Sequence, residues 1–186
     1  MDSMIDRKNI LNLLKIFDDR LTQNKEKKEF TIFGSASLLL QKIARDTRST
    51  VDMDLIEPMM DNALNVLSAE VGDEVGLKMG WLNSAGHIFS RNFPKDWQKR
   101  THVIYSGTSL VVKSLGRKDL IATKFNAYCD RDYERDLFDL IDLAPSKAEL
   151  TYAKKWILGL GKIETERVEK CVKIVLDKTR DRARER

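Results

Sequence analysis

The spacing of apolar and polar positions along the chain predicts a mixture of helices and strands. Helical spacing is found near the N-terminus, at Ile10, Leu14, Phe17 and Leu21. Short apolar runs, each predicted to be a strand, occupy residues 30–33, 51–56, 102–105 and 109–113. The last two are predicted to form a hairpin, and a helix is predicted from Pro58 to about Val71.

After Pro145 the pattern is wholly helical, and its clearest stripe consists of Val168, Cys171, Val172, Val175 and Leu176. We therefore predict an α/β (α+β) protein with a small mixed sheet flanked by helices and a C-terminal helical extension. A length of 186 residues with 42% hydrophobic content suffices for one sizeable core and an appendage. We expect a core with its N-terminal helix over residues 1–143 and a helical extension packed on it over residues 144–186.

The turn after the first predicted strand has the composition of a phosphate-binding site. Gly34 and Ser35 stand between the apolar run and an apolar-rich segment that begins at Ala36. Glycine allows the backbone to come close to a ligand, and the N–H groups at the start of a helix attract anions. A polyphosphate is the ligand that this arrangement favours.

Two carboxylates accompany the second predicted strand. Asp52 and Asp54 are two residues apart, so in a strand they project from one face, about 6–7 Å apart. Their mutual repulsion is relieved by a cation, and Mg²⁺ is commonly held by one or two carboxylates together with substrate phosphates. The alternative is a sheet edge whose acids simply face water.

A lysine and a row of acids follow on later predicted helices. Lys124 falls within the apolar arc of a helix over residues 118–129, so either its ammonium group reaches back to water or it meets phosphate in a cleft. Asp132, Asp136 and Asp139 share one side of the next predicted helix, over residues 131–143. That row is either a solvated face, with Arg135 and Asp139 as a surface pair, or part of a site.

Together these segments resemble a known superfamily. Gly34-Ser35 and the Arg-x-Thr-x-Asp-x-Asp motif of residues 48–54 resemble the signature of the polymerase-β-like nucleotidyltransferases. The closer similarity is to the branch that contains the AbiEii-type toxins of bacterial toxin–antitoxin and abortive-infection systems. Residues 115–127 and 131–140 resemble the later lysine and Arg-Asp-x-x-Asp motifs of that branch. Residues 81–83, Trp-Leu-Asn, are similar to uncharacterised relatives of these toxins.

The resemblance implies a nucleotidyltransferase that uses Mg²⁺ or Mn²⁺ and transfers a nucleoside monophosphate (NMP) from a nucleoside triphosphate (NTP) to a hydroxyl group. The implied acceptor is tRNA or a protein, and a cognate antitoxin is an implied partner. The implied metal ligands are Asp52 and Asp54, which with Lys124 and Asp136 form the implied catalytic set. The implied nucleotide-binding residues are Gly34, Ser35, Arg48, Thr50, Lys124 and Asp139.

The sequence departs from the superfamily in one respect. Its polymerases and antibiotic-modifying transferases usually place a third carboxylate on a later strand. The predicted strands at residues 102–105 and 109–113 contain neither Asp nor Glu. The third acid is therefore either missing or supplied by Asp136. Three alternatives to the transferase remain. They are a catalytically degenerate nucleotide-binding or antitoxin-like protein, a small-molecule nucleotidyltransferase similar to the aminoglycoside-modifying enzymes, and a plain interaction scaffold.

Composition and charge limit the remaining classes of function. The chain has 33 basic and 29 acidic residues, a net charge of +4, which is a mixed surface and a weak signal for nucleic acid. Cys129, Cys171, His87 and His102 lack the spacing of zinc ligands, and both cysteines are predicted to be buried thiols. No apolar run approaches the ~18 residues that span a membrane, and the N-terminus lacks a signal-peptide pattern. We expect a cytoplasmic protein without a membrane partner.

Overall fold

The computed structural model describes residues 4–45 and 48–184, and the chain forms two compact units. The first unit consists of Met1–Arg91 and Gln98–Leu115, and the second of Asn92–Trp97 and Gly116–Arg186. A short 3-10 helix, Trp97–Arg100, spans one of the junctions. The predicted core of residues 1–143 takes in the whole first unit and part of the second, and its boundary stays a prediction.

The first unit contains a mixed sheet with five strands among its described residues. The strands are β1 (Lys28–Phe33), β2 (Met53–Glu57), β3 (Leu82–Asn83), β4 (His102–Ser106) and β5 (Leu110–Ser114). Their order is β3-β2-β1-β5-β4, with β1 antiparallel to β2 and parallel to β5. The antiparallel pairing of β4 with β5 confirms the predicted hairpin, and the mixed sheet confirms the predicted fold class.

Four helices in the described part of the first unit accompany the sheet. They are α1 (Arg7–Gln23), α2 (Gly34–Leu40), α3 (Asn62–Glu74) and α4 (Ala85–Ser90). The prediction that Pro58 opens a helix is wrong, because the Asp61 carboxylate accepts the N–H of Leu64 at 2.8 Å and so fixes the start of α3 at Asn62. The apolar stripe of α1 is buried as predicted.

The second unit is helical, with α5 (Arg117–Arg131), α6 (Glu134–Leu143), α7 (Lys147–Leu160) and α8 (Thr165–Arg184) in its described part. A capping box begins α7, since Ser146 Oγ accepts the N–H of Glu149 at 3.2 Å and Glu149 accepts the N–H of Ser146 at 2.8 Å. Helix α5 packs against α6, α7 and α8. Arg182 on α8 pairs with Asp142 on α6, whose side chain is 3% exposed.

Asp18 on α1 is a buried carboxylate that joins this helix to the turn between β4 and β5. It accepts the backbone N–H groups of Thr108, Ser109 and Leu110 at 2.9, 2.6 and 2.7 Å. Burial raises the pKa of Asp18, but these donors and Lys15 outweigh it, so the pKa lies below its ordinary value. The charged carboxylate therefore stabilises the first unit.

We predict that Asp18→Ala lowers the free energy of unfolding by about 2–4 kcal/mol at neutral pH, because three backbone donors lose their acceptor. The wild type holds this stabilisation above the pKa of an unfolded aspartate and loses it as the pH falls through the lower pKa of the folded state. The difference between wild type and variant should thus shrink below about pH 4. Urea unfolding across a pH series measures it.

A substitution in the turn between β4 and β5 tests the contact between this turn and Asp18. A Cβ at Gly107 would overlap the Asp18 carboxylate, so Gly107→Ala should destabilise the wild type more than it destabilises the Asp18→Ala variant. Asp19→Ala is the matched control, because that carboxylate is exposed and pairs only at the surface with Lys15. If the double variant lost as much free energy of unfolding as the two single variants together, the contact between Asp18 and Gly107 would be contradicted.

No helix in residues 4–45 and 48–184 is both long enough and apolar enough to cross a membrane.

Candidate active site

The turn between β1 and α2 carries the first group of sequence-predicted site residues. β1 ends at Phe33, and Gly34 follows with a φ of +76°. A residue with a side chain is strained at that angle, so the turn needs glycine. Ser35 is the next residue, and the rest of α2 is buried from Ala36 to Leu40. The buried helix therefore fixes the position of the turn at its start.

Asp54 faces this turn. Phe33 on β1 and Asp54 on β2 are register partners in the antiparallel pair, so their side chains project from the same face of the sheet. A Cβ placed on Gly34 would be 3.4 Å from Asp54 Oδ2. The structure thus brings together the acid and the glycine turn that the sequence analysis paired.

Asp52 lies just before β2 and is held by a threonine. Thr50 Oγ1 donates to the backbone oxygen of Asp52 at 3.2 Å and lies 3.4 Å from its carboxylate Oδ1. Thr50 is itself fixed by a pair of backbone hydrogen bonds with Ile5, at 2.6 and 2.9 Å. Arg48 is half-buried in the same segment. Thr50 is therefore placed to orient the Asp52 backbone and carboxylate.

The carboxylates of Asp52 and Asp54 suit a hard divalent cation whose remaining ligands are phosphate and water oxygens. Asp52 and Asp54 are separated by a single residue, and Asp54 stands beside the glycine turn. Mg²⁺ is commonly bound by one or two carboxylates plus substrate phosphates. No cluster of three or more His, Cys, Asp or Glu side chains suited to a metal is found within the described ranges.

The second unit brings together Lys124, Asp136 and Asp139. Lys124 on α5 is only 9% exposed, and its Nζ lies 2.6 Å from Asp139 Oδ2 and 4.0 Å from Asp136 Oδ1. Asp139 is 0% exposed and Asp136 is 4% exposed, both on α6. The idea that the Lys124 ammonium reaches back to water is wrong, because this ammonium is buried against two carboxylates.

Arg131, whose side chain is 51% exposed, pairs with this group from the surface. Its Nη2 donates to both carboxylate oxygens of Asp136, at 3.1 and 2.9 Å. With two cations and two carboxylates, the cluster of Lys124, Arg131, Asp136 and Asp139 is formally neutral. The solvated-face interpretation of the acidic row is wrong for Asp136 and Asp139. Asp132 is not on α6 but ends α5 in the left-handed conformation, at a φ of 58°.

Trp81, Trp97, Cys129 and Cys171 lie in structural environments. Trp81 and Trp97 are buried, and Trp81 Nε1 donates to the Ser68 carbonyl at 2.8 Å. Cys129 and Cys171 are buried and form no disulfide, as predicted. A hydrogen bond between the two thiols, together with burial, raises the pKa of Cys129. The same hydrogen bond lowers the pKa of Cys171, but both thiols are buried, as is typical of unreactive structural cysteines.

Helix α4 is a contribution that the sequence analysis missed. Gly86 packs directly on β2, since a Cβ there would lie 2.5 Å from the Leu55 carbonyl oxygen. His87 Nδ1 lies 3.1 Å from the Ile56 carbonyl oxygen. The one available signal was the glycine after Trp81-Leu82-Asn83, because a close helix–strand approach requires a residue without a side chain.

Comparison with known proteins identifies the family. A family model described as "Nucleotidyltransferase of unknown function (DUF6036)" matches residues 8–157. This range covers most of the chain, and the protein belongs to that family. No curated protein and no solved structure matched the chain. The membership supports the resemblance at the level of the nucleotidyltransferase superfamily.

Proposed function

We propose that this member of a nucleotidyltransferase family transfers an NMP from an NTP to a hydroxyl group of an acceptor. The observation that carries the proposal is the position of Asp54, whose carboxylate stands beside the glycine turn at Gly34. A triphosphate in that turn would be close to the acid that must share a cation with it. Because NTPs are held inside cells, the proposal also assigns the protein to the cytoplasm.

The proposed roles in the first unit follow from the chemistry of phosphoryl transfer. The acceptor oxygen forms a bond to the α-phosphorus, the bond from that phosphorus to pyrophosphate breaks, and the hydroxyl proton is released. Gly34 and Ser35 would hold the outgoing phosphates with backbone N–H groups. Asp52 and Asp54 would hold Mg²⁺ or Mn²⁺, which supplies charge neutralisation for the phosphates when bound.

Thr50 and Arg48 would support this group from the preceding segment. Thr50 orders Asp52 through the hydrogen bond to its backbone oxygen, so its proposed role in nucleotide binding is exerted through that residue. Arg48 would contribute positive charge near the phosphates. Both assignments come from the Arg-x-Thr-x-Asp-x-Asp motif, and the ordering of Asp52 supports the part assigned to Thr50.

We propose that Lys124 offsets phosphate charge and that Asp136 and Asp139 act through it. The 2.6 Å contact with Asp139 fixes the ammonium group at the end of a flexible side chain. To serve instead as a third metal ligand, Asp136 would have to exchange the Arg131 guanidinium for the cation. The geometry therefore favours positioning roles for both carboxylates over direct metal binding.

The proposed acceptor is tRNA or a protein, in keeping with the AbiEii-type branch, and a cognate antitoxin is a proposed partner. One observation favours a second function. No three-acid metal cluster exists among the described residues, which is what a catalytically degenerate nucleotide-binding or antitoxin-like protein would show. The two functions differ in turnover and not in NTP binding.

A labelling experiment separates these functions. The purified protein is incubated with each NTP labelled at the α-phosphate, with Mg²⁺ and total tRNA, beside a reaction that contains protein only and one with EDTA. We expect Mg²⁺-dependent label on tRNA or on protein. Binding of NTP in calorimetry without any transferred label would favour the degenerate protein, and absence of both would contradict the proposal.

A further inference from the structure

An exposed aromatic side chain stands next to the glycine turn. Phe89 on α4 is 58% exposed, although it is one of the largest apolar side chains. Its ring lies 6.3 Å from that of Phe33, centroid to centroid, at an angle of 51°. Phe33 is the residue that immediately precedes Gly34. The exposed ring is therefore one aromatic contact away from the turn proposed to bind triphosphate.

The ring pair lies on the same side of the sheet as the proposed metal ligand. Phe33 and Asp54 are register partners and share one face. Helix α4 covers Phe33 on that face, because a Cβ on Gly86 would be 2.8 Å from Phe33 Cε1. Phe89 follows Gly86 by three residues and so lies on the same side of the helix. Turn, carboxylate and exposed ring thus belong to one face of the first unit.

The position of Phe89 is fixed by the close packing of α4. Gly86 lets the helix backbone approach the Leu55 carbonyl, and His87 Nδ1 lies within hydrogen-bonding distance of the Ile56 carbonyl. Ser84, which precedes the helix, accepts the N–H of Met60 through its hydroxyl at 2.7 Å. These contacts tie α4 to β2 and to the segment after it. The exposed ring is therefore presented by a rigid element.

We propose that the base of the bound NTP stacks on Phe89, with Phe33 as the ring that supports it. This inference rests on the proposed function. Stacking on an aromatic ring accepts any base, since every base has a π face, and contributes about 1–3 kcal/mol per base. Neither phenylalanine carries a hydrogen-bonding group that would read a base edge, so the surface recognises a nucleobase without selecting one by hydrogen bonds.

The test compares two kinds of ligand, nucleoside triphosphates and a triphosphate that carries no nucleoside. Calorimetry with Mg²⁺ and no acceptor measures the Kd of each of the four NTPs and of inorganic tripolyphosphate. Phe89→Ala should weaken NTP binding by about 5- to 150-fold and leave tripolyphosphate binding unchanged. Phe89→Trp should retain NTP binding. Ile88→Ala is the matched control, because Ile88 is the neighbouring apolar residue on α4 and is 67% exposed.

The outcomes separate this inference from the proposed function. If the wild type binds NTPs and Phe89→Ala binds them equally well, the stacking surface is wrong and the proposed function stands. If Phe89→Ala weakened the binding of NTPs and of tripolyphosphate equally, the stacking surface would also be wrong, because the substitution would then act on the glycine turn. If the wild type binds neither ligand, both proposals fail. Thermal unfolding of Phe89→Ala should match the wild type, since the ring is largely exposed.

Discussion

Asp54→Asn is expected to lower the rate of NMP transfer by more than about a hundredfold while leaving the protein folded. Substitution even of residues that only support a metal ligand typically costs about 10- to 100-fold, and Asp54 is proposed to bind the metal directly. Asparagine keeps the size of the side chain, so its position beside Gly34 is retained. The initial rate of label transfer, measured over a range of Mg²⁺ concentrations, gives the effect. Asp52→Asn should behave in the same way.

The control for this experiment is Glu57→Gln. Glu57 is the last residue of β2 and is exposed, so its substitution removes a charge from the same strand without touching the turn. Its transfer rate and thermal unfolding should match the wild type. A folded Asp54→Asn protein with the wild-type rate would refute the assignment of this carboxylate. Weaker binding of Mg²⁺–tripolyphosphate by Asp54→Asn would support it independently of turnover.

Lys124→Met is expected to lower the free energy of unfolding by about 3–5 kcal/mol, which is typical for removal of one partner of a buried ion pair. The reason is Asp139, which is 0% exposed and lies 2.6 Å from the lysine ammonium. Methionine would leave that carboxylate buried without its nearest cation. Urea unfolding followed by the fluorescence of Trp156 and Trp97, both in the second unit, measures the loss.

Two further variants show whether the pairing is the cause. Lys124→Met combined with Asp139→Asn should recover a large part of the stability, because the double variant removes both charges of the ion pair. Lys154→Met is the matched control, since its ion pair with Glu169 is exposed and should contribute less than about 1 kcal/mol. A loss no larger for Lys124 than for Lys154 would show that the buried pair is not a stabilising element.

The parts of the fold that depend on local pattern could be predicted from the sequence. β1, the glycine turn and the start of α2 are encoded within about ten consecutive residues, and the hairpin of β4 and β5 depends on a short turn between two apolar runs. Each of these features was predictable because it is specified by neighbours in sequence. The strand predicted over residues 51–56 begins at Met53, so Asp52 precedes it, and the projection of Asp52 and Asp54 from one face stays a prediction.

The features that were missed depend on partners far apart in the chain. Asp18 resembles any polar residue on a helix, and its three donors lie about 90 residues later. Lys124 stands out in the sequence because it falls on an apolar arc. Its partner Asp139 is on the next helix, and the period of one helix does not show which residue of another helix its ammonium group meets. Helix α4 is short, and a six-residue helix offers too few turns for a pattern.

The order of strands in the sheet has a consequence for synthesis of the chain. β1 sits between β2 and β5, and its parallel partner β5 is encoded about 80 residues downstream. While the chain emerges from the ribosome, one edge of β1 therefore has no partner until residue 114 has been made, well after the turn and both proposed metal ligands. Long-range parallel pairing of this kind is slow, and unpaired edges promote association between chains. The first unit thus completes its sheet only after β5 has been made, and nascent chains truncated before β5 expose an edge of the strand that leads into the glycine turn.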